Sequence, residues 1–213
     1  MGVQWFLNRT GSAATTHLET GGFIRSDPGV PHPDIQFHFM PSQVIDHGRV
    51  APTLEAYQVH VGPMRATSSG WLKLQSKDPR QHPLLQPNYL DTEQDWHEMR
   101  QCVKLTREIF AQPAFDEYRG EELAPGDDVQ TDEQIDDFIR RKSDSAYHPS
   151  CTCKMGDTGD NMTVVDRDCR VVGLDNLRIV DASIMPSIVS GNLNAPTIMM
   201  AEKAADIIKG SVS

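Results

Sequence analysis

Apolar and polar positions alternate in the first half of the chain. Ile35, Phe37 and Phe39 alternate with Gln36, His38 and Met40, and Tyr57, Val59 and Val61 alternate with Gln58 and His60. A period of two sends successive side chains to opposite faces, so both runs predict half-buried β-strands. Trp71 to Gln75 is a third short run. Proline and glycine punctuate the intervals, as loops joining antiparallel strands require. Asp78-Pro79, His82-Pro83 and Gln86-Pro87 then mark an extended, turning stretch, because the residue before a proline is driven out of the helical region.

From Thr92 onward the period lengthens to about 3.6. Trp96, Met99, Val103, Thr106 and Phe110 share one helical face, with Leu105 and Ile109 beside it. Thr92 and Asp95 resemble a capping box at the start of this helix, and Pro113 stops it. A second helix is predicted from Thr131, with Gln134 in the capping-box position and Ile135, Phe138 and Ile139 buried. Gly120 to Gln130 between them reads as acidic loop. After residue 145, Val164 to Val172 predicts a small hairpin about Asp166-Arg167-Asp168. Leu177 to Val180 predicts a short buried strand. Ala195 to Lys209 predicts a closing helix that Gly210 terminates.

Composition narrows the class. The 213 residues are 38% hydrophobic and 23% charged, the range of an ordinary globular chain. That excludes a collagen, a coiled coil and a wholly disordered chain. No run reaches the ~18 apolar residues that a membrane-spanning helix needs. Thirty acidic against twenty basic residues leave a net charge of −10. With no basic block, phosphate binding is unsupported and nucleic acid is not an expected partner; a cationic ligand would be tolerated or attracted. Cysteines at 102, 151, 153 and 169 are too few and too uneven for a disulfide framework, so reduced thiols in an intracellular compartment are expected. The first residues carry no basic or apolar targeting signature, and Phe6 stands where a myristoylation signal wants Ser or Thr. The first twenty residues read as mid-domain chain.

Reactive residue types concentrate in two segments. The first is Tyr147-His148-Pro149-Ser150-Cys151-Thr152-Cys153. Alone it admits a metal site from His148, Cys151 and Cys153, a cysteine nucleophile, or a histidine acting as acid or base. It equally admits a histidine that merely satisfies a hydrogen bond near a turn. No second Cys/His pair lies at a zinc-like spacing, and no metal is expected. The second segment runs from Asp181-Ala182-Ser183 through Gly191 to Asn192-Leu193-Asn194-Ala195-Pro196-Thr197. It joins the predicted strand to the predicted helix. Asn194 is placed to cap that helix, and Pro196 sits in its first turn. The unpaired N–H groups of a helix start favour an anion. Ordinary capping accounts for Asn194 but not for Asn192.

Together the segments carry a resemblance. S-A-Y-H-P-S-C-T-C-K-M-G, then V-V-D, then L-R-I-V-D-A-S-I-M-P-S-I-V-S-G-N-L-N-A-P-T-I-M-M-A-E-K resembles the C-terminal part of the glucose–methanol–choline (GMC) flavoprotein oxidoreductases. H-V-G-P-M-R-A-T-S-S-G-W-L-K-L-Q-S-K-D-P and P-L-L-Q-P-N-Y-L are similar to the same family's substrate-domain core. The choline-oxidising branch is the most similar. The resemblance implies an FAD-dependent oxidation of an alcohol. His148 matches the family's catalytic histidine, which takes the hydroxyl proton, and Asn192 matches the second catalytic position. Asp181, Ala182, Asn194, Ala195, Pro196 and Thr197 match positions lying against the flavin. A quaternary ammonium alcohol such as choline wants aromatic walls; Tyr147 is the candidate, with Trp71 behind it.

The expected fold is α+β. A mostly antiparallel substrate-domain sheet has helices on one side, over residues 1–145. Residues 146–213 hold the His/Asn segment, with a C-terminal strand and helix that belong to an otherwise missing Rossmann-like FAD domain. The dinucleotide fingerprint G-x-G-x-x-G is not in this sequence, so the chain is expected to be a fragment that is inactive alone. The branch further implies a quinone-like electron acceptor and mitochondrial, inner-membrane-associated localisation without a transmembrane segment. Another alcohol as substrate, or a catalytically silent binding or regulatory fragment, are the alternatives.

Overall fold

A computed structural model describes residues 2–11, 14, 16, 18 and 20–210. The chain divides into two compact units, each using two stretches: Met1–Pro63 with Trp96–Arg141, and Met64–Asp95 with Lys142–Ser213.

In the first unit, helix α1 (Gly2–Asn8) precedes a three-stranded antiparallel sheet. Its strands are β1 (Thr20–Ile24), β2 (Ile35–Met40) and β3 (Gln58–Pro63), in that order. β2 and β3 lie where the alternation placed them. β1 carries Gly21 and Gly22 and gave no alternation to read. Phe37 stands opposite Gly22 on one side and Val61 on the other, so one face gathers Ile24, Ile35, Phe37, Val59 and Val61. Helix α2 (Glu93–Phe110) packs Cys102, Leu105 and Ile109 onto that core. Leu105 and Ile109 are the residues expected beside the main face, Cys102 joins them, and Val103 of that face is buried as well.

Helix α3 (Asp132–Lys142) buries Ile135 and Ile139 as expected. Its capping box forms in both directions. Gln134 N–H donates to Thr131 Oγ1 at 3.3 Å, and Gln134 Oε1 accepts from Thr131 N at 2.9 Å. Arg100 grips Asp136 through two bonds of 2.7 and 2.8 Å, Lys104 reaches Asp132 at 2.6 Å, and Arg140 stacks over Trp96 at 4.7 Å. These contacts spend the polar and aromatic flank of α2 on α3.

In the second unit, β4 (Trp71–Lys73) pairs with β5 (Leu84–Gln86). The Thr92/Asp95 capping box forms only halfway. Asp95 N–H donates to Thr92 Oγ1 at 3.3 Å. The Asp95 carboxylate instead accepts from Thr67 N at 2.7 Å, Thr67 Oγ1 at 2.8 Å, Ser68 N at 3.1 Å and the Ser68 hydroxyl. Burial pushes this carboxyl upward, but the bonds from Ser68 and Thr67 outweigh it and hold it below the usual range.

The hairpin expected over Val164–Val172 is a tight loop closed by the Val165–Val171 bridge. Asp166 Oδ1 accepts from Asp168 N and Arg170 N inside it. The buried strand expected over Leu177–Val180 is not formed. Leu177 is exposed, and only Arg178 bridges, to Arg170. A strand needs a ladder of partners, and the described residues supply two bonds here, Val171 N to Leu177 O and Ile179 N to Cys169 O. Helix α4 (Asn194–Lys209) closes the unit, stopped by left-handed Gly210 at φ 69°. Its Ala204 joins Val165, Cys169 and Ile184 in the unit's core. The four cysteines are free thiols.

Candidate functional site

The stretch before His148 is pinned by a hydroxyl. Ser145 Oγ accepts from the Tyr147 amide at 3.0 Å and from the Tyr89 hydroxyl at 3.2 Å. Tyr147 itself takes φ 59°, and Cys151 takes φ 71°. Such left-handed backbone is uncommon for residues with a Cβ and persists where surrounding bonds enforce it. Those bonds are present. The N–H groups of Cys151, Cys153 and Met155 donate to the carbonyls of Ala182, Ser183 and Ile184 at 3.2, 2.9 and 2.9 Å. The acceptors sit on one turn of 3-10 helix, Ala182–Ile184, which Asp181 caps through its bond from Ser183 N at 2.8 Å.

This ladder carries the two predicted residues together. Asn192 Nδ2 lies 3.1 Å from His148 Nε2. The carboxamide offers both a donor and an acceptor, and the roles in this contact follow the imidazole tautomer. An imidazole that presents an Nε2 lone pair is the form that can take a proton. The half-buried ring and exposed carboxamide stand at the surface of the unit.

The other predicted positions fall around this pair. Asn194 does not cap α4: the N-cap is Leu193, with no side-chain cap bond. Leu193 already has helical backbone, φ −78° and ψ −17°, whereas a side-chain cap needs extended geometry at the cap. Asn194 and Ala195 are exposed in the first turn, and Pro196 and Thr197 are half-buried. The Thr197 hydroxyl donates to Leu193 O at 2.7 Å. Asp181 and Ala182 are engaged locally, the first as the cap of the 3-10 turn and the second through its carbonyl on Cys151. Tyr147 is 70% exposed. Trp71 is not a core residue; it is 42% exposed, with Lys73 Nζ 4.5 Å from its ring centroid. Among the described residues, no group of three His, Cys, Asp or Glu side chains gathers as a metal site. The Tyr89–Ser145 anchor had no signal in the sequence, because it joins residues 56 positions apart through common side chains.

Residues 66–201 match the GMC oxidoreductase family, and the chain belongs to it. The mitochondrial choline dehydrogenase of Homo sapiens is 70% identical over 210 residues, covering 99% of this chain and 35% of that protein. The Mus musculus counterpart is 68% identical, with the same coverage. The oxygen-dependent choline dehydrogenase of Brucella ovis is 52% identical, with 38% of its length covered. The chain thus spans little more than a third of these relatives. Among solved structures, pyridoxine 4-oxidase from Mesorbium loti superposes with TM-score 0.80 at 30% identity, over 89% of this chain and 37% of that one. Aspergillus oryzae formate oxidase superposes with TM-score 0.86 at 23% identity, over 99% of this chain and 41% of that one, a likeness of fold.

Proposed function

We propose that this chain carries the proton-accepting and oxygen-binding groups of an FAD-dependent choline oxidation that yields betaine aldehyde. The observation that carries the reading is the 3.1 Å approach of His148 Nε2 and Asn192 Nδ2. A substrate hydroxyl brought to that pair meets one acceptor and one donor. His148 takes the hydroxyl proton on Nε2. The Asn192 amide donates to the substrate oxygen as negative charge develops on it, which lowers the barrier most where charge is greatest. Loss of the proton makes the carbinol carbon a far better hydride source than the neutral alcohol.

Bound FAD supplies the acceptor for the hydride. The residues present fit such a group. Helix α4 starts without a side-chain cap, with Asn194 and Ala195 exposed immediately after Asn192. The partial positive charge of a helix start favours an electron-rich ring edge there. Asn194, Ala195, Pro196 and Thr197 would line that edge, with the Asp181–Ala182 turn behind. Tyr147 would face the trimethylammonium group; the Trp71 ring already carries the Lys73 ammonium. Electrons would leave to a quinone-class acceptor. The relatives named mitochondrial support that compartment, with peripheral attachment to the inner membrane; among the described residues no helix is long and apolar enough to cross a membrane.

The test is a chimera in which this chain replaces the matching part of the human relative. His148→Ala should slow flavin reduction by choline, followed in a stopped-flow instrument, by roughly 10²–10⁴-fold. An unchanged rate would remove the base assignment.

A further inference from the structure

The first unit holds a cavity of about 320 Å³ between the sheet and α2. Its floor is a missing side chain. Thr20, Gly22 and Ile24 stand opposite Phe39, Phe37 and Ile35, so they share the face that α2 covers. A Cβ at Gly22 would meet no atom within 4 Å. The neighbouring Gly21 differs, since a Cβ there would come within 2.6 Å of the Phe37 carbonyl oxygen. Close approach of the backbone therefore requires Gly21. Nothing of that kind requires Gly22, whose φ lies outside the left-handed region.

The walls are aromatic and aliphatic: Phe37, Phe39, Ile109, Phe110 and Phe115. The Phe39, Phe110 and Phe115 rings hold one another at centroid separations of 5.2 to 6.4 Å, in edge and tilted arrangements. No charged side chain lines the space. The Thr106 hydroxyl is engaged within α2, donating to Cys102 O at 2.6 Å. An apolar cavity of about 150 Å³ already admits benzene.

We propose that this cavity is a binding site for an uncharged aromatic group of one or two rings. It lies wholly within the first unit and uses none of the residues of the His148–Asn192 site, so each reading stands or falls without the other.

Indole is the probe. Titrated into the 213-residue chain, it should saturate with a Kd at or below roughly 1 mM. It should shift the methyl NMR signals of Val59 and Ile109. Gly22→Leu fills the space and should weaken indole at least about tenfold, with Gly22→Ala intermediate. Circular dichroism reports whether each variant keeps its fold. If Gly22→Leu fails to fold, Gly22→Ala and the location of the methyl shifts decide. The proposal is overturned by absence of saturation, by shifts lying away from Val59 and Ile109, or by a folded Gly22→Leu that binds indole like the native chain.

Discussion

Asp95→Asn removes one charge at nearly constant volume from a side chain that is 2% exposed. In the native chain its two oxygens serve four donors, two on Thr67 and two on Ser68. An asparagine keeps one oxygen and presents an NH₂ in place of the other. If the oxygen stays with Thr67, the Ser68 hydroxyl can turn and accept from that NH₂. The Ser68 amide cannot, and it becomes a half-buried donor facing a donor. Stranding one half-buried amide and removing the charge from the remaining bonds should together cost about 3 kcal/mol. For a chain of this length that is a fall in melting midpoint of roughly 6–12 °C. Thermal and urea denaturation followed by circular dichroism measure it, and pH supplies an internal control. The folded carboxyl is held below its ordinary value, so its contribution is complete above the unfolded pKa near 3.9 and fades as pH falls through the folded pKa. The gap between native and variant should therefore be constant from pH 7 to about 5 and close at lower pH. A loss under about 1 kcal/mol, or a gap that does not respond to acid, would refute the account of this carboxylate.

Asn192→Ala in the full-length chimera should lower kcat/KM for choline by roughly 10²–10³-fold, as loss of one oxyanion donor does. Its melting midpoint should hardly move, because Asn192 is exposed; equal losses of stability and rate would point to a merely structural amide. The isolated chain, which lacks the dinucleotide fingerprint, should elute from gel filtration without visible flavin absorbance after incubation with FAD, and stoichiometric yellow protein would contradict this. Thr131→Ala breaks the reciprocal cap of α3 and should destabilise the chain by about 1 kcal/mol in urea titrations.

Periodicity read the long, two-faced elements well. β2, β3, α2 and α3 fall where alternation and helical spacing put them, because each buries one face against a neighbour. It failed where a side chain is missing or a partner is distant. Gly21 and Gly22 erase the alternation of β1. At Leu177–Val180 the residues Ile179 and Val180 do pack against the unit's core, but Leu177 is exposed and only Arg178 bridges, because a ladder needs a partner strand that local spacing does not report. Thr92 and Asp95 have the right spacing for a cap, but Asp95 finds stronger donors 27 and 28 residues earlier.

The pairing of His148 with Asn192 could not be reached by spacing at all, because 44 residues separate them. What joins them is backbone. Three N–H groups, at alternate positions 151, 153 and 155, donate to three consecutive carbonyls at 182, 183 and 184. Neither cysteine thiol takes part in that ladder, which runs through backbone alone. Tyr147 takes left-handed backbone immediately before His148, and Gly191 takes φ 151° immediately before Asn192. Side chains at Cys151 and Cys153 are therefore incidental to the geometry of the pair. The amides and carbonyls beneath them are what set the distance at which the imidazole and carboxamide meet.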